Sequence, residues 1–128
     1  MRILVVDDFL TMRRVVRSQL REIGFDNLAE AGDGRAALLQ LRAGTFDLVI
    51  SDIDMPTMGG FELLSAIKTD ARLRHLPVLM LAAEARKEDI VRCVQVGAAA
   101  YLVKPFSRAV LEEKIRLAMP AAFATMSS

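Results

Sequence analysis

The sequence predicts an α/β domain built on a five-stranded parallel sheet, and three observations predict it. Short apolar runs at about 2–6, 27–30, 47–51, 77–81 and 99–103 alternate with longer segments whose apolar residues recur every three or four positions. That alternation is the pattern of βαβ units. The runs are apolar on both faces, as strands covered by helices on either side must be. The length of 128 residues, 53% of them apolar and 26% charged, suits one globular domain.

Each element follows in order. Ile3-Leu4-Val5-Val6 forms the first strand and ends in Asp7-Asp8. In the first helix Met12, Val16, Leu20 and Ile23 share one stripe and Arg13, Arg17 and Arg21 another, so the arginine row is expected to be solvated surface. After the second strand, Gly32-Asp33-Gly34 reads as a turn and N-cap rather than a phosphate-binding loop. Ala37, Leu38 and Leu41 then mark the second helix. Leu48-Val49-Ile50-Ser51 runs into Asp52, and Leu63, Leu64 and Ile67 mark the third helix. The fourth strand leads to a helix with an expected packed stripe at Ile90 and Val94, beside a small buried Cys93. The fifth strand, Ala99–Val103, runs into Lys104-Pro105, and Leu111, Ile115 and Ala118 complete the helices. Gly24, Gly44 and Gly97 each follow a helical stripe and are expected in the left-handed C-terminal conformation. The domain is expected to span 1–119, with 120–128 a loosely ordered tail that lacks periodicity.

Composition excludes several function classes. Seventeen Lys and Arg nearly balance sixteen Asp and Glu, which lacks the basic footprint of a nucleic-acid binder. No apolar run approaches the ~18 residues that span a bilayer, and no leader pattern precedes the first strand. A single cysteine allows no disulfide within the chain. The expectation is a cytoplasmic monomer without membrane insertion. His75 has no second His or Cys at metal spacing and reads as a surface loop residue.

The chemistry gathers at the strand ends. In an open parallel sheet the carboxyl ends of the strands share one edge, which brings Asp7, Asp8, Asp52 and Lys104 together. Taken alone, Asp7-Asp8 reads equally well as helix capping, and a lone lysine as a solvated strand end. Asp52 changes the balance. Like charges repel by roughly 1 kcal/mol per pair at 4 Å in water and about 4 kcal/mol at an effective dielectric constant of 20, so the cluster calls for a cation. Mg²⁺ prefers such oxygen ligands, and the Lys104 ammonium suits a phosphoryl oxygen. Asp52 would then accept a phosphoryl group as an aspartyl phosphate.

Two rival readings stand beside this one. Asp52-Ile53-Asp54 resembles the Asp-x-Asp signature of haloacid-dehalogenase-type phosphatases, although it closes the third strand and the chain has no room for a cap. The other rival is a phosphorylation-independent binding module that keeps the site as scaffold.

Four segments carry a resemblance, in this order: Val5-Val6-Asp7-Asp8-Phe9-Leu10-Thr11-Met12-Arg13-Arg14, the run from Asp52 to Gly60, Leu76–Met80 with Glu84-Ala85-Arg86-Lys87, and Lys104-Pro105-Phe106. Together they resemble the receiver domain of two-component response regulators, of the CheY-like chemotaxis type, over about residues 1–119. The resemblance implies a flavodoxin-like, doubly wound sheet of order 2-1-3-4-5 with five helices. It implies Mg²⁺ held by Asp8, Asp52 and the carbonyl of Asp54, with Asp7 and the Asp54 side chain acting through water. Phosphotransfer would come from a histidine kinase to Asp52, with the phosphoryl oxygens met by Lys104, residue Ala82 and the backbone of Ala83. Tyr101 would be an aromatic switch, and Glu84, Arg86, Lys87, Tyr101 and Pro105 would belong to the face that docks a downstream protein such as the flagellar motor switch. Such a protein is no enzyme beyond its own phosphorylation and dephosphorylation.

Two departures from that pattern matter. Ala82 stands where the family usually has Thr or Ser, which forfeits a charged hydrogen bond of about 1.5–3 kcal/mol, or else leaves room for Tyr101 to turn inward. Asp54 stands where chemotaxis regulators typically have Asn, preceded by Ile53 where they have Trp. A fourth carboxylate there is expected to tighten cation binding.

Overall fold

The computed structural model describes residues 1–120. Ten elements alternate along the chain: β1 (Arg2–Val6), α1 (Leu10–Ile23), β2 (Asn27–Ala31), α2 (Gly34–Ala43), β3 (Leu48–Asp52), α3 (Gly60–Thr69), β4 (Val78–Ala82), α4 (Lys87–Val96), β5 (Ala100–Val103) and α5 (Arg108–Ala118). The strands form one sheet of order β2-β1-β3-β4-β5, parallel throughout. This is the flavodoxin-like, doubly wound arrangement, and its strand order reverses at β1 and β3. The carboxyl ends of those two strands therefore flank the crevice.

Alternation along each strand divides the core into two layers. Leu4, Val6, Val49, Val78 and Met80 point to one side, where they meet Ala37 and Leu41 of α2, Leu64 and Ile67 of α3 and Cys93 of α4. Ile3, Val5, Leu48, Ile50, Leu79 and Leu81 point to the other, against Val16 and Leu20 of α1 and Leu111 and Ile115 of α5. Removing both faces from water is the main force holding the sheet between its helices. Only the central strands are buried along nearly their whole length, because β2 and β5 lie at the edges and stay half-exposed.

Local structure corrects three expectations. Gly24 and Gly97 do adopt positive φ, at 121° and 100°, but Gly44 is extended at φ −142°. A β-carbon at Gly44 would lie 3.1 Å from a guanidinium nitrogen of Arg2, the far end of a flexible side chain, so neither handedness nor close approach demands glycine there. On α4, Ile90 and Val94 are exposed and Cys93 is the buried residue. The helix is rotated so that its apolar stripe faces away from the sheet. The arginine row is not uniformly solvated either: Arg13 and Arg17 both pair with Glu30 of β2, while Arg21 is exposed. Asp33 caps α2 by accepting from the Ala36 N–H at 2.8 Å. The expected tail, from residue 121 onward, lies outside the described residues.

Gly60 sets the height of α3 above β3. A β-carbon on it would stand 2.2 Å from the Asp52 carbonyl oxygen, so only glycine lets the helix start directly over the strand end.

Candidate functional site

The shared edge brings four of the singled-out side chains into one group. Asp7 follows β1, Asp52 ends β3 and Lys104 follows β5, each delivered by a strand whose register is fixed by burial. Lys104 Nζ lies 3.1 Å from Asp7 Oδ2 and 3.0 Å from Asp52 Oδ1. One carboxylate oxygen from each of Asp7, Asp8 and Asp52 lies within 4.8 Å of the others. Asp7 and Asp52 are buried, at 1% and 4% exposure. The backbone of Lys104 is itself placed by the β4–β5 ladder, its N–H donating to the Ala82 carbonyl at 2.8 Å. The Lys104–Pro105 peptide is cis.

Electrostatics follow from this crowding. Burial pushes the Asp52 carboxyl up from its ordinary value, and the charges of Asp7 and Asp8 push the same way; the Lys104 hydrogen bond opposes them without prevailing. Burial alone would lower the Lys104 ammonium, but its bonds and charge attraction to Asp52 and Asp7 outweigh that and raise it. One lysine thus shares itself between two buried carboxylates and neutralises only part of a triple negative charge. Asp7 Oδ1 accepts from the Phe9 N–H at 3.0 Å. Asp8 Oδ1, by contrast, is buried without a hydrogen-bond partner.

That orphaned oxygen tests whether the residues suit a divalent cation. A buried carboxylate oxygen with no donor is costly, and hard oxygen donors converging from the ends of two strands are the ligand chemistry of Mg²⁺. The site fits.

The remaining singled-out residues lie around this group. The exposed Asp54 is not among the converging carboxylates; it lines an adjoining cleft with Asp8, Met55, Glu62, Arg86 and Asp89. Ala82 is buried at the end of β4, and Ala83 is exposed immediately after it. Glu84, Arg86 and Lys87 are exposed at the start of α4, with Arg86 Nε 3.3 Å from Glu84 Oε2. Pro105 is exposed. The Tyr101 ring packs half-buried against the core layer that contains Ala82, and its hydroxyl donates to the Glu84 carbonyl at 3.0 Å. His75 is exposed in a groove at the opposite, amino end of the strands.

Sequence reasoning missed one pair near the site. Arg13 Nη1 donates to the Asp7 carbonyl at 2.7 Å, and Arg13 Nε donates to Glu30 Oε1 at 3.0 Å. The available signal was Glu30 itself, the one charged residue of its strand, which can be set against an arginine-bearing helix stripe.

Residues 3–116 match the response regulator receiver domain. The chain belongs to that family. It is 52% identical over 115 residues to the chemotaxis protein CheY of Pseudomonas aeruginosa, covering 90% of this chain and 93% of that one. It is equally 52% identical to the chemotaxis protein CheY-3 of Vibrio cholerae, covering 90% and 88%. Among solved structures, V. cholerae CheY4 superposes with a TM-score of 0.84 at 35% identity, over 91% of this chain and 97% of that one. The response regulator TrrA of Thermotoga maritima, solved in complex with Mg²⁺ and BeF, gives a TM-score of 0.79 at 32% identity, over 90% and 96%. The receiver described here is therefore of the CheY type in sequence and in fold. The Asp-x-Asp phosphatase reading loses its footing, because Asp52-Ile53-Asp54 closes the third strand of a receiver.

Proposed function

We propose that this receiver accepts a phosphoryl group on Asp52 from a histidine kinase in a Mg²⁺-dependent step, and signals by changing what its surface binds. The observation that carries the reading is the buried meeting of Asp7, Asp8, Asp52 and Lys104, with Asp8 Oδ1 left for a cation.

In the proposed step an Asp52 carboxylate oxygen attacks phosphorus, an O–P bond forms and the N–P bond to the donor imidazole breaks. The released imidazole nitrogen takes up a proton. When bound, Mg²⁺ supplies charge neutralisation between an anionic nucleophile and an anionic donor. Asp8 and Asp52 would hold it directly together with the Asp54 carbonyl, and Asp7 through water. Lys104, already on Asp52, holds a phosphoryl oxygen, with Ala83 offering its backbone N–H. The Asp54 side chain, outside the carboxylate cluster, strengthens cation binding through water and through its charge.

The output we infer is a protein partner on the face of α4, β5 and α5, where Glu84, Arg86, Lys87, Tyr101 and Pro105 lie. The names of its relatives point to chemotaxis, with the flagellar switch as one such partner. Among the described residues no helix is long and apolar enough to cross a membrane, and we place the protein in the cytoplasm as a monomer that acts without nucleic acid. It turns over no substrate beyond its own phosphorylation and dephosphorylation.

Coupling between Asp52 and that face is weak in this reading. Tyr101 is held by a bond to the Glu84 carbonyl that makes no use of Asp52, and Ala82 carries no hydroxyl to link the two. The same observation favours, as a second reading, a module whose binding is independent of phosphorylation.

Intact mass after incubation with Mg²⁺ and acetyl phosphate tests the main reading. One phosphoryl group on the native protein and none on Asp52→Asn is expected. No gain on the native protein, or an equal gain on both, would sink it.

A further inference from the structure

We propose that Arg13, oriented by Glu30, is a positioning residue for the cation site; the inference rests on the Mg²⁺ reading above. Asp7 and Asp8 are joined by one peptide group, and the angle of that group decides whether their carboxylates converge on Asp52. Both sides of Asp7 are gripped from outside the loop. Its N–H donates to the Ala31 carbonyl at 3.1 Å, and its C=O accepts from Arg13 Nη1 at 2.7 Å. The Arg13 guanidinium is in turn fixed by Glu30 Oε1 at 3.0 Å, and the Glu30 backbone by Gln40 Nε2, which donates to its carbonyl at 2.6 Å. Arg13 and Glu30 are both largely covered, at 18% and 24% side-chain exposure.

The physical need for this brace lies in the cluster itself. Three carboxylates pressed together push the loop that carries two of them outward. A planar guanidinium with a fork of donors can hold a carbonyl and a carboxylate at once, which a lysine ammonium on a flexible stem does poorly. Its positive charge also sits on the peptide between the two acids. Arg13 touches no reacting atom, so its effect passes through Asp7 and Asp8. Partners of this outer kind are worth about 10–100-fold in metal affinity.

Arg17 supplies the comparison. Its guanidinium also bonds Glu30 but makes no bond to the Asp7 peptide. Mg²⁺ titration by calorimetry, with thermal midpoints measured in chelator, separates the roles. Arg13→Gln is expected to weaken Mg²⁺ binding by about 10–100-fold, Arg13→Lys by less, and Glu30→Ala in the same direction as Arg13→Gln. Arg17→Gln is expected to keep the native dissociation constant even where its midpoint falls. Native affinity in folded Arg13→Gln and Arg13→Lys overturns the positioning role, as does equal weakening in Arg17→Gln. Absence of Mg²⁺ binding by the native protein is a different failure, because it removes the cation reading on which the inference stands.

Discussion

Lys104 is the residue on which the balance of charge at the site turns. It contacts two carboxylates that are almost wholly buried, so truncating it leaves both unpaired. Lys104→Ala is expected to destabilise the fold by about 3 kcal/mol, at the low end of the range because the ammonium is partly solvated and screened. Denaturant unfolding in chelator measures it; a change below about 0.5 kcal/mol, as for an ordinary surface site, would contradict the reading. Asp52 behaves oppositely. Its folded carboxyl lies above the ordinary 3.8, so as pH rises from 3.8 the unfolded chain loses its proton first and stability falls until the folded group ionises too. Asp52→Asn is therefore expected to be more stable than the native protein at neutral pH without Mg²⁺. Its advantage shrinks on acidification and vanishes below 3.8. A constant difference across that window would show that Asp52 is not strained by its charge.

At the scale of elements, the approach of α3 to β3 and the packing of β5 decide how the site is presented. Gly60→Ala must force the helix off the strand end, since its β-carbon would meet the Asp52 carbonyl at 2.2 Å. We expect a loss of about 1–3 kcal/mol or more, accompanied by slower phosphorylation; unchanged unfolding would mean that the helix start is free to move. The β4–α4 junction makes a separate prediction. The chain has one tyrosine and no tryptophan, so tyrosine fluorescence reports Tyr101 alone. Beryllofluoride with Mg²⁺ is expected to change that emission less in the native protein than in Ala82→Thr, and equal changes would remove the case for weak coupling. Helix orientation was the least legible feature at this scale. The spacing of Ile90 and Val94 shows that α4 has an apolar stripe, but not that the sheet leaves it uncovered and takes Cys93 instead. Gly44 differs from expectation for a similar reason: a glycine after a helix suggests a left-handed cap, and nothing in the sequence separates Gly44 from Gly24 and Gly97, which do take positive φ.

Across the whole molecule, legibility follows topology. Asp7, Asp8, Asp52 and Lys104 could be grouped from the sequence because each ends a strand, and parallel strands deliver their ends to one edge whatever the loops do. The full Arg13–Glu30 brace could not, because Glu30 signals only an acid in need of a partner and the pairing depends on how α1 is turned against β2. Nor could the Tyr101 bond, which uses a backbone carbonyl that no residue type announces. The same topology makes cation binding and folding one equilibrium. Mg²⁺ at a hundredfold excess over its dissociation constant is expected to add about 2.7 kcal/mol of stability. Asp8→Asn removes most of that gain, and Asp54→Asn weakens binding by less because its carboxylate stands outside the cluster. Equal Mg²⁺ stabilisation of native and Asp8→Asn proteins would place the ion elsewhere.

The central claim is that Asp52, alone among the clustered acids, becomes the acyl phosphate. Borohydride reduction of the phosphorylated protein converts such a residue to homoserine, which peptide mass mapping then locates. Homoserine at position 52 only is the predicted result; homoserine at position 7 or 8, or none in a protein that has gained a phosphoryl group, would contradict it.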